Sequence, residues 1–209
     1  MLVFASPYMA QYGSFDVDTL CRALSADIPV IFPSRVVMSR LLDSGLERYH
    51  FLVVTDPQTA ADGVHASIFE EMTSERGILG SDCMAVARDT VGDALTNMLD
   101  AYKAAGGMMP LNAIVIDDSE VSAEDVRASI DQIFEVQNET TMAYRKLILH
   151  ECKVLDVDEV AADECYRILR RRNIFTHNIA YPQSKGYVTI PSRTGDGFRL
   201  IETISYVQD

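Results

Sequence analysis

The sequence predicts an α/β protein: a short, mainly parallel N-terminal sheet flanked by helices, then a helical segment and a small antiparallel β-meander. Three observations predict it. Short apolar runs alternate with helical patterns through the first 118 residues, helical periodicity dominates after residue 122, and three strand-like runs close the chain.

Taken in order, Leu2 to Ala5 reads as a strand, and Val17, Leu20, Cys21 and Leu24 share one helical face. Pro29 to Phe32 is a second strand. Ser34 is placed to cap the next helix, which carries Val37, Met38, Leu41 and Leu42 and stops at Gly45. Phe51 to Thr55 is the unbroken apolar run that a strand covered on both faces requires. From Thr59 to Ala105 the spacing predicts helices, with Ser81 capping the second and Gly106-Gly107 ending it. Ala113 to Ile116 is the fourth strand. Ser122 and Asp125 then resemble a capping box ahead of a stripe through Val126, Ile130, Ile133 and Phe134.

QNETT at 137 to 141 interrupts that stripe, and a helix is expected through Tyr144, Leu147 and Ile148, with another from Asp158 to Arg172. HNIAY, GYVTI and FRLIETISYV, with turns at PQSKG and TGDG, form the meander. The expected organisation is an α/β core over residues 1–137 and a C-terminal subdomain over 138–209, the two being possible as one continuous domain.

Composition bounds the function. With 209 residues, 48% of them apolar and 23% charged, the chain can bury a sizeable core. No 18-residue apolar run or basic leader is present, so neither membrane insertion nor export is expected and the location is expected to be cytoplasmic. The four cysteines form no CxxC pair and the four histidines no HxxxH spacing, so free thiols are expected. The net charge of −13 is uneven. Residues 166–200 hold Arg167, Arg170, Arg171, Arg172, Lys185, Arg193 and Arg199 against Asp196 alone, so this segment is +6 and the remainder −19.

If the four early strands run parallel, their exits share one edge, where open α/β folds bind ligands. Those exits carry Tyr12, Ser14, Ser34, Arg35, Thr55, Asp56, Asp117, Asp118 and Glu120. Tyr12, Ser14, Ser34, Arg35 and Thr55 are the expected ligand-binding residues, and Asp117, Asp118 and Asp56 the catalytic candidates. Carboxylates dominate the rim, so Asp117 and Asp118 could hold Mg²⁺ or Mn²⁺, or a phosphate carried with one. Residues 117 and 118 are adjacent, however, and adjacent strand residues point to opposite faces. Strand exit and helix capping by Asp118, Ser119, Ser122, Glu124 and Asp125 account for the acidic stretch on capping and dipole grounds alone, and that reading is preferred to chemistry.

"AIVIDDSEVS" resembles the diphosphate-binding motif of phosphoribosyltransferases, but Ser119 to Ala123 lacks that family's Thr/Gly loop. It also resembles the acidic start of receiver domains, without their later phospho-accepting aspartate. The E-x-K of "HECKV" is similar to restriction-type nucleases, which place Glu151 and Lys153 on a strand beside an aspartate, whereas the upstream pattern predicts a helix here. The helix ending in Arg170 to Arg172, followed by a hairpin, resembles a winged helix, which implies nucleic-acid contact through Arg170, Arg171, Arg172, Lys185, Arg193 and Arg199.

The reading that follows first is a non-catalytic binding or assembly protein, its acidic body meeting the basic C-terminal face of a protein partner or of another copy. The alternative is a metal-dependent enzyme acting on a phosphorylated or nucleotide-like small molecule at the strand exits, and nucleic-acid contact is the third.

Overall fold

The computed structural model describes residues 1–92, 94–136, 138–173, 183–191 and 198–207. The chain begins with β1 (Leu2–Val3), a π-helical turn (Met9–Gly13), α1 (Ser14–Ala23), β2 (Val30–Ile31) and α2 (Pro33–Leu42). There follow β3 (His50–Thr55), α3 (Pro57–Ala61), α4 (Val64–Arg76), β4 (Asp82–Ala87), α5 (Arg88–Val91) and α6 (Leu95–Ala104). Then come β5 (Leu111–Asp117), α7 (Ala123–Glu135), α8 (Glu139–Tyr144), β6 (Ile148–Asp156) and α9 (Val157–Arg172), and last β7 (Gln183–Pro191) and β8 (Phe198–Val207).

The main sheet has the order β4-β3-β5-β6 and is parallel throughout. Parallel pairing follows from the helical crossovers that return the chain to the same edge each time. Covered on both faces, β3 is buried at every position, which explains its unbroken apolar run. On one face Phe51, Val53, Ala113 and Val115 pack under α2 and α4 with Val157 and Val160 of α9. On the other, Leu52, Val54, Ile114 and Ile116 pack under α6 and α7. The crossover from β3 covers the first face and those from β4 and β5 the second. The strand order therefore reverses between β3 and β5, and a crevice opens outside their carboxyl ends.

Several expectations change. β1 and β2 are parallel but form their own two-stranded sheet, so the four early strands do not share a single edge. The helical region expected from Thr59 to Ala105 contains β4, and Ser81, expected as a helix cap, accepts a hydrogen bond from the Tyr49 amide at 2.9 Å. Pro33 opens α2 after Phe32 as N-cap, and Ser34 sits buried inside the first turn. No residue of α1 is buried, although an apolar face was expected there.

HECKV is strand, not helix. It belongs to β6, whose pairing with β5 moves from Leu111↔Ile148 to Ala113↔Lys153, so β6 carries extra residues in a bulge. β6 completes the main sheet, and the boundary expected at residue 137 moves with it. The chain forms two compact units, Met1–Ile168 and Leu169–Asp209.

In the second unit, β7 and β8 pair antiparallel as a single two-stranded hairpin, with a register shift at Gly186/Tyr187. The expected meander is not borne out: PQSKG contributes to β7 rather than to a turn, and HNIAY and TGDG lie outside the described residues. Among the described residues no helix is long and apolar enough to cross a membrane.

The four cysteines are free thiols. Burial pushes the Cys83 thiol up to about 12, with the Asp82 carboxylate adding to the rise. At pH 8 the thiolate fraction is therefore on the order of 10⁻⁴. Iodoacetamide mapped by peptide mass should leave Cys83 unlabelled in the native chain and label it in urea. Native labelling at the rate of a free thiol would contradict this packing.

Candidate functional site at the β3–β5 exits

Thr55 ends β3 in register with Ala87 of β4 and Asp117 of β5, so three exits align on one rim. Gly63, at φ +64°, turns the chain into α4 and sets His65 in its first turn. His65 is fully buried, and its Nε2 lies 2.6 Å from Asp117 Oδ2, joining residues 52 apart in sequence. The Asp117 side chain keeps 16% of its surface accessible. The other ring nitrogen, His65 Nδ1, is buried with no hydrogen-bond partner among the described residues. A buried polar ring that forgoes one partner is costly, so the bond to Asp117 carries the orientation of both groups.

Asp118, the first residue past the end of β5, points elsewhere. Its Oδ1 accepts from the Glu120 amide at 2.9 Å, and its Oδ2 from Arg88 Nε at 3.3 Å. Arg88 also reaches Glu120 at 2.9 Å. Ser122 accepts the Asp125 amide at 3.1 Å and caps α7. The acidic pair thus divides: Asp118 is turn and ion pair, and Asp117 belongs to the crevice. As a joint metal site the two are corrected, because they diverge onto His65 and Arg88. Among the described residues no group of three His, Cys, Asp or Glu side chains could hold a metal ion.

Asp56 is the N-cap of α3, accepting the Gln58 and Thr59 amides at 3.0 Å each. Burial works to raise its pKa, but the Thr59 side chain and the two amides outweigh it and hold the carboxyl below its ordinary 3.8. A depressed carboxylate stabilises the fold above its unfolded pKa, and that stability is lost as pH falls through the folded value. Asp56→Ala should cost about 1 kcal/mol at pH 7 in urea unfolding. The difference from wild type should shrink as pH drops below about 3.8. A difference that grows on acidification would exclude the capping role.

The remaining rim residues scatter. Thr55 is buried at the end of β3. Arg35 is held by the Ala10 carbonyl at 2.8 Å and Glu71 at 2.7 Å, away from the His65–Asp117 pair. Tyr12 is exposed, Ser14 opens α1, and neither has a recorded contact with His65 or Asp117. The β1 exit does approach the β3 exit through Tyr8, whose hydroxyl donates to Asp62 Oδ2 at 2.7 Å. In the basic set, Arg170, Arg171 and Arg172 are exposed in the last turn of α9. Lys185 and Arg199 lie on β7 and β8, and Arg193 lies outside the described residues. His65 was missed by sequence reasoning, because a lone histidine far from Asp117 in sequence announces nothing until the fold joins them.

No family model matches this chain, and no curated protein matches it. Among solved structures it is similar to the crystal structure of glutamate racemase isoform RacE1 from Bacillus anthracis. The identity is 13% and the TM-score 0.47, with 83% of this chain and 69% of that chain covered. That neighbour is an enzyme. The expectation of a non-catalytic binding or assembly protein is withdrawn, and the buried His65–Asp117 pair directs attention to its alternative, an enzyme at the strand exits. A likeness this distant carries across neither a substrate nor a residue role.

Proposed function

We propose that this chain is an enzyme acting on a small polar molecule of the phosphorylated or nucleotide-like class, in the crevice outside β3 and β5. Asp117 moves the proton and His65, which no substrate can reach, positions it. One observation carries the reading: the 2.6 Å bond between a fully buried His65 and a partly accessible Asp117 at the point where strand order reverses. A carboxylate fixed from behind, with its open side at the rim, suits general acid–base work. Arg88, one-third exposed at the end of β4, supplies a cation that can exchange Asp118 and Glu120 for a phosphate. Free thiols at all four cysteines fit a reducing compartment, and a cytoplasmic location belongs to the proposal.

The test incubates wild type, Asp117→Asn and His65→Gln with ribose 5-phosphate, glycerol 3-phosphate and AMP in D₂O, followed by ¹H and ³¹P NMR. Wild type should convert one of these, or exchange its carbon-bound hydrogen, and Asp117→Asn should be slower by about 10²-fold or more. Conversion by Asp117→Asn at the wild-type rate would sink the assignment, and so would inertness of wild type toward all three.

A further inference from the structure

The opposite end of the sheet holds a second polar cluster, far along β3 from the crevice and independent of it. Beneath the C-terminal end of α2, a cavity of about 160 Å³ has Leu41, Phe51 and Leu149 in its walls and Asn112, Glu151 and Lys153 among its polar lining. Leu149, Glu151 and Lys153 are exposed, so the cavity opens to solvent on their side, and its volume is that of a small molecule. The β6 bulge is what brings Glu151 and Lys153 here, since the register against β5 shifts between Leu111 and Ala113.

Three facts about the polar groups narrow the occupant. Glu151 and Lys153 carry opposite charges and line one cavity, yet neither side chain makes an ion pair or hydrogen bond among the described residues. Asn112 Oδ1 accepts the His50 amide at 2.6 Å. That bond fixes the amide's orientation, because a backbone N–H needs the oxygen, and it leaves the Asn112 NH₂ as the free donor. The site therefore offers an ammonium, an amide NH₂ and a carboxylate beside an apolar wall.

A lone anion would face Glu151 and a lone cation would face Lys153. A molecule carrying both charges satisfies both. Glu151 and Lys153 lie two positions apart on β6 and both line the cavity, so one small molecule can meet the two charges. We propose that this cavity binds a small aliphatic α-amino acid of about valine's size. Its carboxylate meets Lys153 and the Asn112 NH₂, its ammonium meets Glu151, and its side chain lies against Phe51, Leu41 and Leu149.

Isothermal titration calorimetry of the full chain tests this with L-valine, 3-methylbutanoate and isobutylamine, which remove one charge at a time. Valine should bind, and Glu151→Gln and Lys153→Met should each weaken it by about tenfold. Asn112→Asp keeps the acceptor for His50, exchanges the free donor for a carboxylate, and should weaken valine as well. Glu151→Gln should leave 3-methylbutanoate binding unchanged, while Lys153→Met weakens it. Both charged side chains are exposed, so melting temperatures should match wild type. No heat from valine up to about 20 mM would overturn the proposal. Valine binding unaffected by the double Glu151→Gln/Lys153→Met variant would do the same, as would 3-methylbutanoate binding as tightly as valine.

Discussion

Phe51→Ala should lower the unfolding free energy by about 4 kcal/mol. Phe51 is 1% exposed on β3, flanked by β4 and β5, so the sheet cannot easily close around a missing ring. Its ring meets Tyr49 edge-on at 5.8 Å and Phe69 at 4.9 Å, and each such pair adds about 0.5–1.5 kcal/mol beyond the area removed from water. Against a total of about 5–15 kcal/mol for a typical domain, this loss leaves a marginal fold. Urea unfolding should show a lower midpoint with unchanged slope. Phe15→Ala on α1, where the ring is 74% exposed, is the control and should shift stability by less than about 0.5 kcal/mol. Equal shifts from the two would mean that the sheet does not pack as described.

Asp117→Ala should cost about 3 kcal/mol, several times more than Asp118→Ala, although the two are neighbours and chemically identical. Removing Asp117 takes the hydrogen-bond partner from a fully buried His65 whose Nδ1 already has none among the described residues. The ring would then be buried with neither nitrogen satisfied. Removing Asp118 breaks a bond to Arg88, which is one-third exposed, can turn to water and keeps Glu120 within reach. With Arg88 one-third exposed, that pair contributes about 1 kcal/mol, and the Glu120 amide that Asp118 also releases is exposed to water. Asp117→Asn, which retains an oxygen and an NH₂, should recover part of the loss. Thermal or urea unfolding of the three variants settles the order. Equal costs at 117 and 118 would deny His65 its buried dependence on Asp117.

Much of this fold is legible in the sequence, and the places where it is not have particular causes. HFLVVT and LNAIVID announce themselves because strands buried on both faces must be apolar at nearly every position. DCMAVA hides because it is half-covered, with Cys83 and Val86 its buried positions, a three-residue spacing that a helix would also produce. HECKV hides for a different reason: the bulge breaks the two-residue alternation, and Leu147 and Ile148 complete an apparent helical stripe. At the crevice, Asp117 and Asp118 diverge because β5 ends between them and Asp118 turns back onto the Glu120 amide, and Ser122 and Asp56 cap helices as their residue types suggest. His65 does not follow from any local pattern. Its role depends on α4 crossing to the face where Asp117 emerges, a tertiary fact with no trace in the spacing of residues.

The irregular pairing of β6 has a consequence for colloidal behaviour. β6 is a terminal strand of the main sheet, and an outermost strand with free amides and carbonyls is a template on which a second molecule can add its own strand. A local swelling in the backbone spoils the straight row of donors and acceptors that such growth requires, and Glu151 and Lys153 place charge where an incoming chain would need a neutral, flat surface. Straightening β6 by deleting the surplus residues would restore the ladder and, with it, the route to fibrous aggregates.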